Sequence, residues 1–147
     1  MCDWKRALAL GFVIWLVPFV VSFMLYSKDG KMLVGQAFFD SVMIFTGSLV
    51  GAVCVVRYFR RVRSDFAKEG LIVGAIWLVE NWALDIAILL PMSKMALGDY
   101  FLNIGLGYFA MFFTAAAVGF SAEYVKTGWK GISEAVQKKP EPKSRRY

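Results

Sequence analysis

The sequence predicts an all-α membrane protein, a transmembrane bundle of four helices, and two observations lead there. First, cationic side chains are confined to short stretches. No Lys or Arg occurs between Met32 and Val56, between Glu69 and Ser93, or between Met95 and Val125, and Tyr26 is the one ionisable side chain from Ala7 to Ser27. A hydrocarbon layer about 30 Å thick needs about 20 apolar residues in a helix, and each gap is long enough. Second, the 147 residues are 59% hydrophobic and 19% charged. An ordinary soluble domain is roughly half apolar and a quarter charged.

Span one is expected over about residues 7–26. It is too long for the apolar core of a typical signal peptide, carries Pro18 and lacks a small-x-small cleavage site, so it reads as a retained helix. Pro18 removes one backbone hydrogen bond and should kink it. Span two covers about residues 34–56. Span three covers about residues 70–90 and is stopped by Pro91. Span four covers about residues 100–120. The connections are short, so successive helices should be antiparallel neighbours. Residues 1–121 then make one transmembrane domain, and residues 122–147 a tail. Tyr124, Trp129, Ile132 and Val136, set among Lys and Glu, predict a short interfacial helix over 122–137. The closing PEPKSRRY is expected to be disordered.

Orientation follows from the basic residues. Lys5 and Arg6 precede span one. Arg57, Arg60, Arg61, Arg63 and Lys68 fill the loop between spans two and three. Lys126, Lys130, Lys138, Lys139, Lys143, Arg145 and Arg146 lie in the tail. The opposite side holds Lys28, Lys31 and Lys94. This asymmetry predicts both termini on the cytoplasmic side of a cell membrane, N-in and C-in, in a multi-pass protein. Trp4, Tyr26, Tyr58 and Tyr100 fall near span ends, as an aromatic belt requires.

The net charge of +6 sits at helix ends and in the tail, where anionic lipid headgroups meet it. No nucleic-acid motif accompanies it. The chain has no histidine, which removes Ser-His-Asp and Cys-His catalysis and the commonest metal ligand. Cys2 and Cys54 both fall near the cytoplasmic side, where a structural disulfide is not expected. The expectation is no enzyme, no metal and no cofactor. The partners expected are the bilayer, anionic headgroups, and a homo-oligomer or another membrane protein.

Helices in lipid associate through close backbone approach and interhelical hydrogen bonds, so small residues mark their interfaces. Span four carries Asn103, Gly107, Ala110, Thr114, Ala117 and Ser121 at heptad spacing. Span two carries Asp40, Ile44, Gly47, Gly51 and Cys54. Span three carries Gly70, Gly74, Trp77, Asn81 and Asp85, and span one Ala7, Gly11, Trp15, Pro18 and Ser22. Gly47, Gly51, Gly70, Gly74 and Gly107 are the packing positions these stripes predict.

Polar residues converge on the outer half of the same stripes. At 1.5 Å per residue, Asp40 lies about 6 Å and Asp85 roughly 8–9 Å below the outer surface. Asn103 and Ser22 are similarly shallow, which predicts one shared polar cluster, with Asn81 and Asp85 bonded as i, i+4 neighbours. Glu80 sits near the bilayer centre, where a carboxylate costs roughly 2.5–3.5 kcal/mol on insertion scales. It must be protonated, hydrated, bound to a cation or paired with a polar neighbour. The candidate intramembrane polar or ion site is therefore Asp40, Glu80, Asn81, Asp85 and Asn103.

Ile14-Trp15-Leu16-Val17 recurs as Ile76-Trp77-Leu78-Val79, a hint of two related hairpins. The patterns KRxLxxGxxIWLxPF, EGLxxGxxWLxxNxxLD and IGLGY together resemble uncharacterised small four-helix membrane proteins of bacteria and archaea. That resemblance covers most of the four spans and implies a membrane location, with no activity attached. Gly47–Ala52 with Arg57 and Tyr58 looks like the opening of a fluoride channel, and Glu80 beside a Trp is similar to small multidrug transporters. In both cases the segment stands in the wrong helix for the family. Two functions fit the residues. One is a small transporter or channel for protons, cations or a cationic solute, using Asp40, Glu80 and Asp85. The other is a non-catalytic membrane scaffold or subunit of a larger complex, in which the polar groups specify packing.

Overall fold

Asp3 accepts the backbone N–H of Arg6 (3.4 Å) and opens helix α1, Trp4–Met24, which runs through Pro18 without a break. The structure, a computed structural model, describes residues 3–27, 31–93 and 95–137, with side chains to residue 129. An isolated bridge between Tyr26 and Met32 turns the chain into α2, Gln36–Phe59. α3, Phe66–Leu84, begins after Asp65, whose backbone is left-handed (φ 54°). Asp is one of the few residues that tolerate that conformation. The first N–H of α3, on Phe66, is capped from another helix, by the Glu123 carboxylate at 2.7 Å.

Beyond Leu84 the helix widens into a π-helical turn, Asp85–Leu89, and then resumes as α4, Leu90–Ser93. Pro91 explains the widening. A proline inside a helix lacks the N–H donor and crowds the carbonyl four residues earlier, here Ala87. The wider turn instead sends the Leu90 N–H to the Asp85 carbonyl. The helix therefore passes Pro91, where the sequence predicts a stop, and continues to Ser93.

The fourth span is not continuous. α5, Leu97–Asn103, is followed by a 3-10 turn, Gly105–Gly107, and then by α6, Tyr108–Gln137. At 30 residues, α6 is about 45 Å long. Residues 122–137 are helical as an extension of this span, not as a separate interfacial helix. The PEPKSRRY segment lies outside the described residues. Four stretches are long and apolar enough to cross a membrane: Trp4–Met24, Gln36–Phe59, Phe66–Ser93 and Gly105–Trp129. Side chains such as Ile44, Phe45 and Phe113 point outward, as lipid-facing positions do.

Helix order in space differs from the expected succession. α1 packs along both α2 and α3, and α3 packs most extensively on α6. α2 reaches α3 mainly at its end, where Tyr58 sets its ring edge against Trp77 at 6.1 Å. There the Tyr58 hydroxyl also donates to Glu69 at 2.8 Å, and both residues are buried.

The α3–α6 contact is backbone on backbone. A Cβ at Gly70 would lie 2.6 Å from the Ala115 carbonyl oxygen, and one at Gly74 3.0 Å from that of Phe112. From the other side, a Cβ at Gly119 would lie 2.5 Å from the Phe66 carbonyl oxygen. Gly47, Gly51 and Gly107 do not behave this way. A Cβ there meets nothing within 4 Å among the described residues. The span-four stripe read from the sequence, Asn103 to Ser121, is exposed along its length, and the packed face of α6 is Ala115, Ala116 and Gly119. The heptad spacing is present, but the break at Gly105–Gly107 rotates the helix so that a neighbouring face meets α3.

Basic residues collect at one end of the bundle. The Arg6 guanidinium donates to the Arg57 carbonyl, and the Lys126 ammonium to that of Arg63. Lys31 belongs to the turn at the opposite end.

Candidate functional site

Asp85 is 2% exposed and joins three parts of the chain. Its Oδ1 accepts the indole N–H of Trp15, on α1, at 2.7 Å. Its Oδ2 accepts the hydroxyl of Tyr100, on α5, at 2.8 Å, and that of Tyr108, at the start of α6, at 2.7 Å. A carboxylate only accepts and an indole only donates, so the pairing is complementary. In hydrocarbon an unsatisfied polar group is costly, and here three donors share one acceptor group. Trp15 is held in place by stacking on Phe19, with ring centroids 4.5 Å apart.

The break in the fourth span builds this site. In a continuous α-helix Tyr100 and Tyr108 would sit more than two turns, about 12 Å, apart along the axis. The irregular segment at Ile104–Gly107 folds both phenols onto one oxygen of Asp85. Irregular backbone at membrane depth survives only where protein buries it. Trp82 supplies that cover, donating its indole N–H to the Gly105 carbonyl at 3.0 Å. Gly105 has no room for a side chain, since a Cβ would stand 2.7 Å from the Phe101 ring.

α1 and α3 run parallel and face each other with two matched stripes, Ala7-Gly11-Trp15 against Trp77-Asn81-Asp85. Trp15 donates to α3 through Asp85, and Trp77 donates to α1 through the Ala7 carbonyl at 2.8 Å. The two tryptophans of the repeated IWLV motif thus both bond across this one interface. Gly11 lies between them. A Cβ at Gly11 would overlap the Glu80 carboxylate and stand 2.7 Å from the Trp77 ring, so the bare glycine leaves the notch in which that carboxylate rests.

Glu80 and Asn81 remain incompletely bonded. Glu80 lies about 20 Å from either end of the Phe66–Ser93 helix at 1.5 Å per residue. Its Oε2 is buried and has no hydrogen-bond partner among the described residues, and the same holds for Oδ1 of Asn81. The Asn81 amide donates to the Trp77 carbonyl at 2.8 Å, not to Asp85 as the i, i+4 spacing predicts. The better-placed indole and phenols already occupy that carboxylate.

Asp40 and Asn103 do not join the cluster. Asp40 is exposed and accepts from Gln36 at 2.8 Å; Asn103 is exposed and donates to the Asp99 carbonyl at 2.7 Å. Ser22 bonds the Phe19 carbonyl within its own helix. The predicted cluster fails at these positions because α1 separates α2 from the outer part of α3, and because Asn103, the last residue of α5, faces outward. Sequence reasoning missed the roles of Tyr100, Tyr108 and Trp82. Tyr100 reads as a belt residue, and the Gly-Leu-Gly before Tyr108 was the one available sign that the span breaks there.

Among the described residues no group of three or more His, Cys, Asp or Glu side chains is placed to hold a metal ion. Cys54 is buried and free, and Cys2 lies outside the described residues. Comparison with protein-family models, curated proteins and solved structures finds no match for this chain.

Proposed function

We propose that the chain is a non-catalytic scaffold or subunit of a membrane assembly, multi-pass in a cell membrane with both termini cytoplasmic. One observation carries the reading: the buried carboxylate of Asp85 is fully engaged by Trp15, Tyr100 and Tyr108. Those bonds tie α1, α5 and α6 to the end of α3, so the most polar buried group serves to fix the arrangement of helices. The gathering of Arg6, Arg57, Arg63 and Lys126 at one end supports the proposed orientation, with that end at anionic headgroups. The family resemblance stays within this proposal, since it implies a membrane location only.

The experiment is a flux assay on purified protein in liposomes, read for protons, potassium and a fluorescent organic cation. The scaffold reading expects no flux above empty liposomes, and Asp85→Asn to keep the bundle assembled. A second reading, a small transporter or channel for protons, cations or a cationic solute, draws on the unpartnered Oε2 of Glu80. Flux that is lost in Glu80→Gln would replace the first reading with the second.

A further inference from the structure

At the basic end of the bundle the cations are mostly of one kind. Apart from Arg145 and Arg146 in the tail, every arginine of the chain stands here, Arg6 on α1 and Arg57, Arg60, Arg61 and Arg63 at the end of α2 and in the loop after it. The connections expected on the opposite side carry only lysines, Lys28, Lys31 and Lys94. A topology signal needs positive charge, which lysine supplies equally well. Arginine adds a planar fork of donors that matches two phosphate oxygens at once. The turn that carries these forks is short and braced. Arg60 keeps helical backbone, with its N–H on the Val56 carbonyl at 3.1 Å, and the N–H groups of Arg61 and Val62 bond the Tyr58 and Phe59 carbonyls at 3.2 and 3.1 Å. The Arg6 guanidinium and the Lys126 ammonium hold the carbonyls of Arg57 and Arg63. Phe59 and Val62 pack against the core, which leaves Arg57, Arg60, Arg61 and Arg63 exposed.

Arg57, Arg60 and Arg61 stand at i, i+3 and i+4, on one side of the last helical turn, where like charges repel. The carboxylates of this end are engaged elsewhere. Glu69 is buried and accepts the Tyr58 hydroxyl, Glu123 accepts the Phe66 N–H, and Asp3 accepts the N–H of Arg6. Asp65 is one exposed carboxylate beside four exposed guanidinium groups. An anion from outside the chain relieves that repulsion. We propose that this braced arginine turn binds a membrane lipid whose headgroup ends in a phosphomonoester. Such a group carries roughly two negative charges and three acceptor oxygens, which suits more than one guanidinium fork. A phosphodiester headgroup has a single charge and fewer free oxygens. The occupant is a lipid, not a soluble phosphate, because the turn closes the ends of two spans and so lies at headgroup level. This rests on the scaffold reading with its cytoplasmic termini, and it names the lipid for which that end has a site.

The test titrates the full chain in detergent micelles with phosphatidate and, separately, with phosphatidylmethanol of the same acyl chains. The second lipid differs by a methyl ester that removes the second charge. Bound lipid is counted by native mass spectrometry. Phosphatidate is expected to bind roughly tenfold tighter, equivalent to about 1.4 kcal/mol. Arg60→Lys, Arg61→Lys and Arg63→Lys, combined in one chain, keep the charge and lose the forks, so the combined variant should bind the two lipids alike. Its circular dichroism should match the native chain, since the three side chains are exposed. Lys31→Gln, at the other end, should leave the preference unchanged. Equal binding of the two lipids by the native chain overturns the proposal, and that comparison needs no variant to fold. So does a preference that survives in the combined variant or is lost in Lys31→Gln. Soluble glycerol phosphate, added at the concentration of the phosphatidate, should displace none of it. Displacement assigns the turn to a soluble phosphate and overturns the lipid as occupant. Failure of the lipid preference leaves the scaffold reading standing, since liposome flux and a reporter fusion at Tyr147 test that reading with no phosphatidate present.

Discussion

At the scale of single residues, the molecule depends on a few donors aimed at one carboxylate. Removing one partner from a buried hydrogen bond costs about 1–3 kcal/mol for each group left unsatisfied, and Asp85→Ala strands three donors. With three donors stranded, its expected loss is at least about 3 kcal/mol, read as unfolding in mixed micelles. Tyr100→Phe and Tyr108→Phe each remove one bond from a carboxylate that keeps two, so each should cost about 0.6 kcal/mol, the average for membrane hydrogen bonds. Equal stability of Asp85→Ala and Tyr108→Phe would count against the clasp. Gly11 gives a separate test. Gly11→Ala drives a methyl group into the Glu80 carboxylate and should destabilise, while Glu80→Ala in the same chain should recover part of the loss. Two independent, additive effects would mean that the notch does not hold the carboxylate. Asp85, Asn81 and Glu80 were legible in the sequence because an acid or amide inside an apolar run stands out. Tyr100 and Tyr108 were not, because a tyrosine near a span end reads equally well as a belt residue.

Helical elements show a similar division. The four spans follow from the spacing of charges alone, and the stripes on spans one and three face each other, Gly11 against Trp77 and Trp15 against Asp85. The stripe on span four was misplaced. Its small residues are real, but Ile104–Gly107 breaks the helix, and a break changes which face points inward without changing the spacing of anything after it. Periodicity gives relative positions along a helix; the neighbour that the face meets comes from outside the helix. The physical consequence is testable. Gly70→Leu and Gly119→Leu force side chains into a backbone contact and should separate α3 from α6, with loss of the folded band in detergent. Gly107→Leu, where a Cβ meets nothing within 4 Å, should be tolerated. Comparable damage from Gly107→Leu would mean that the span-four stripe packs after all. Pro91 is another case in which a sequence rule met local relief, as the π-helical turn at Asp85–Leu89 lets the helix continue.

For the molecule as a whole, the arrangement is a parallel α1–α3 pair flanked by α2 and α6, with Glu69, Asn81 and Asp85 buried in an otherwise apolar core. The basic end, with Arg6, Arg57, Arg63 and Lys126, should face the cytoplasm. Reporter fusions after Ser27 and at Tyr147 are expected to give opposite signals, external for the first and cytoplasmic for the second. The same signal from both would reject the topology. Asp85 is the point at which the parts of the bundle meet, and the Trp15 indole reports on it most directly. In nanodiscs, the indole proton of Trp15, observed by nitrogen-resolved NMR, should be shielded from hydrogen exchange and shifted by its bond to a carboxylate. Asp85→Leu should move that resonance and open it to exchange, leaving in place the indole signal of Trp77, which bonds the Ala7 carbonyl two turns away. A Trp15 indole that exchanges freely in the native chain, or that is unmoved by Asp85→Leu, would contradict the clasp on which this account rests.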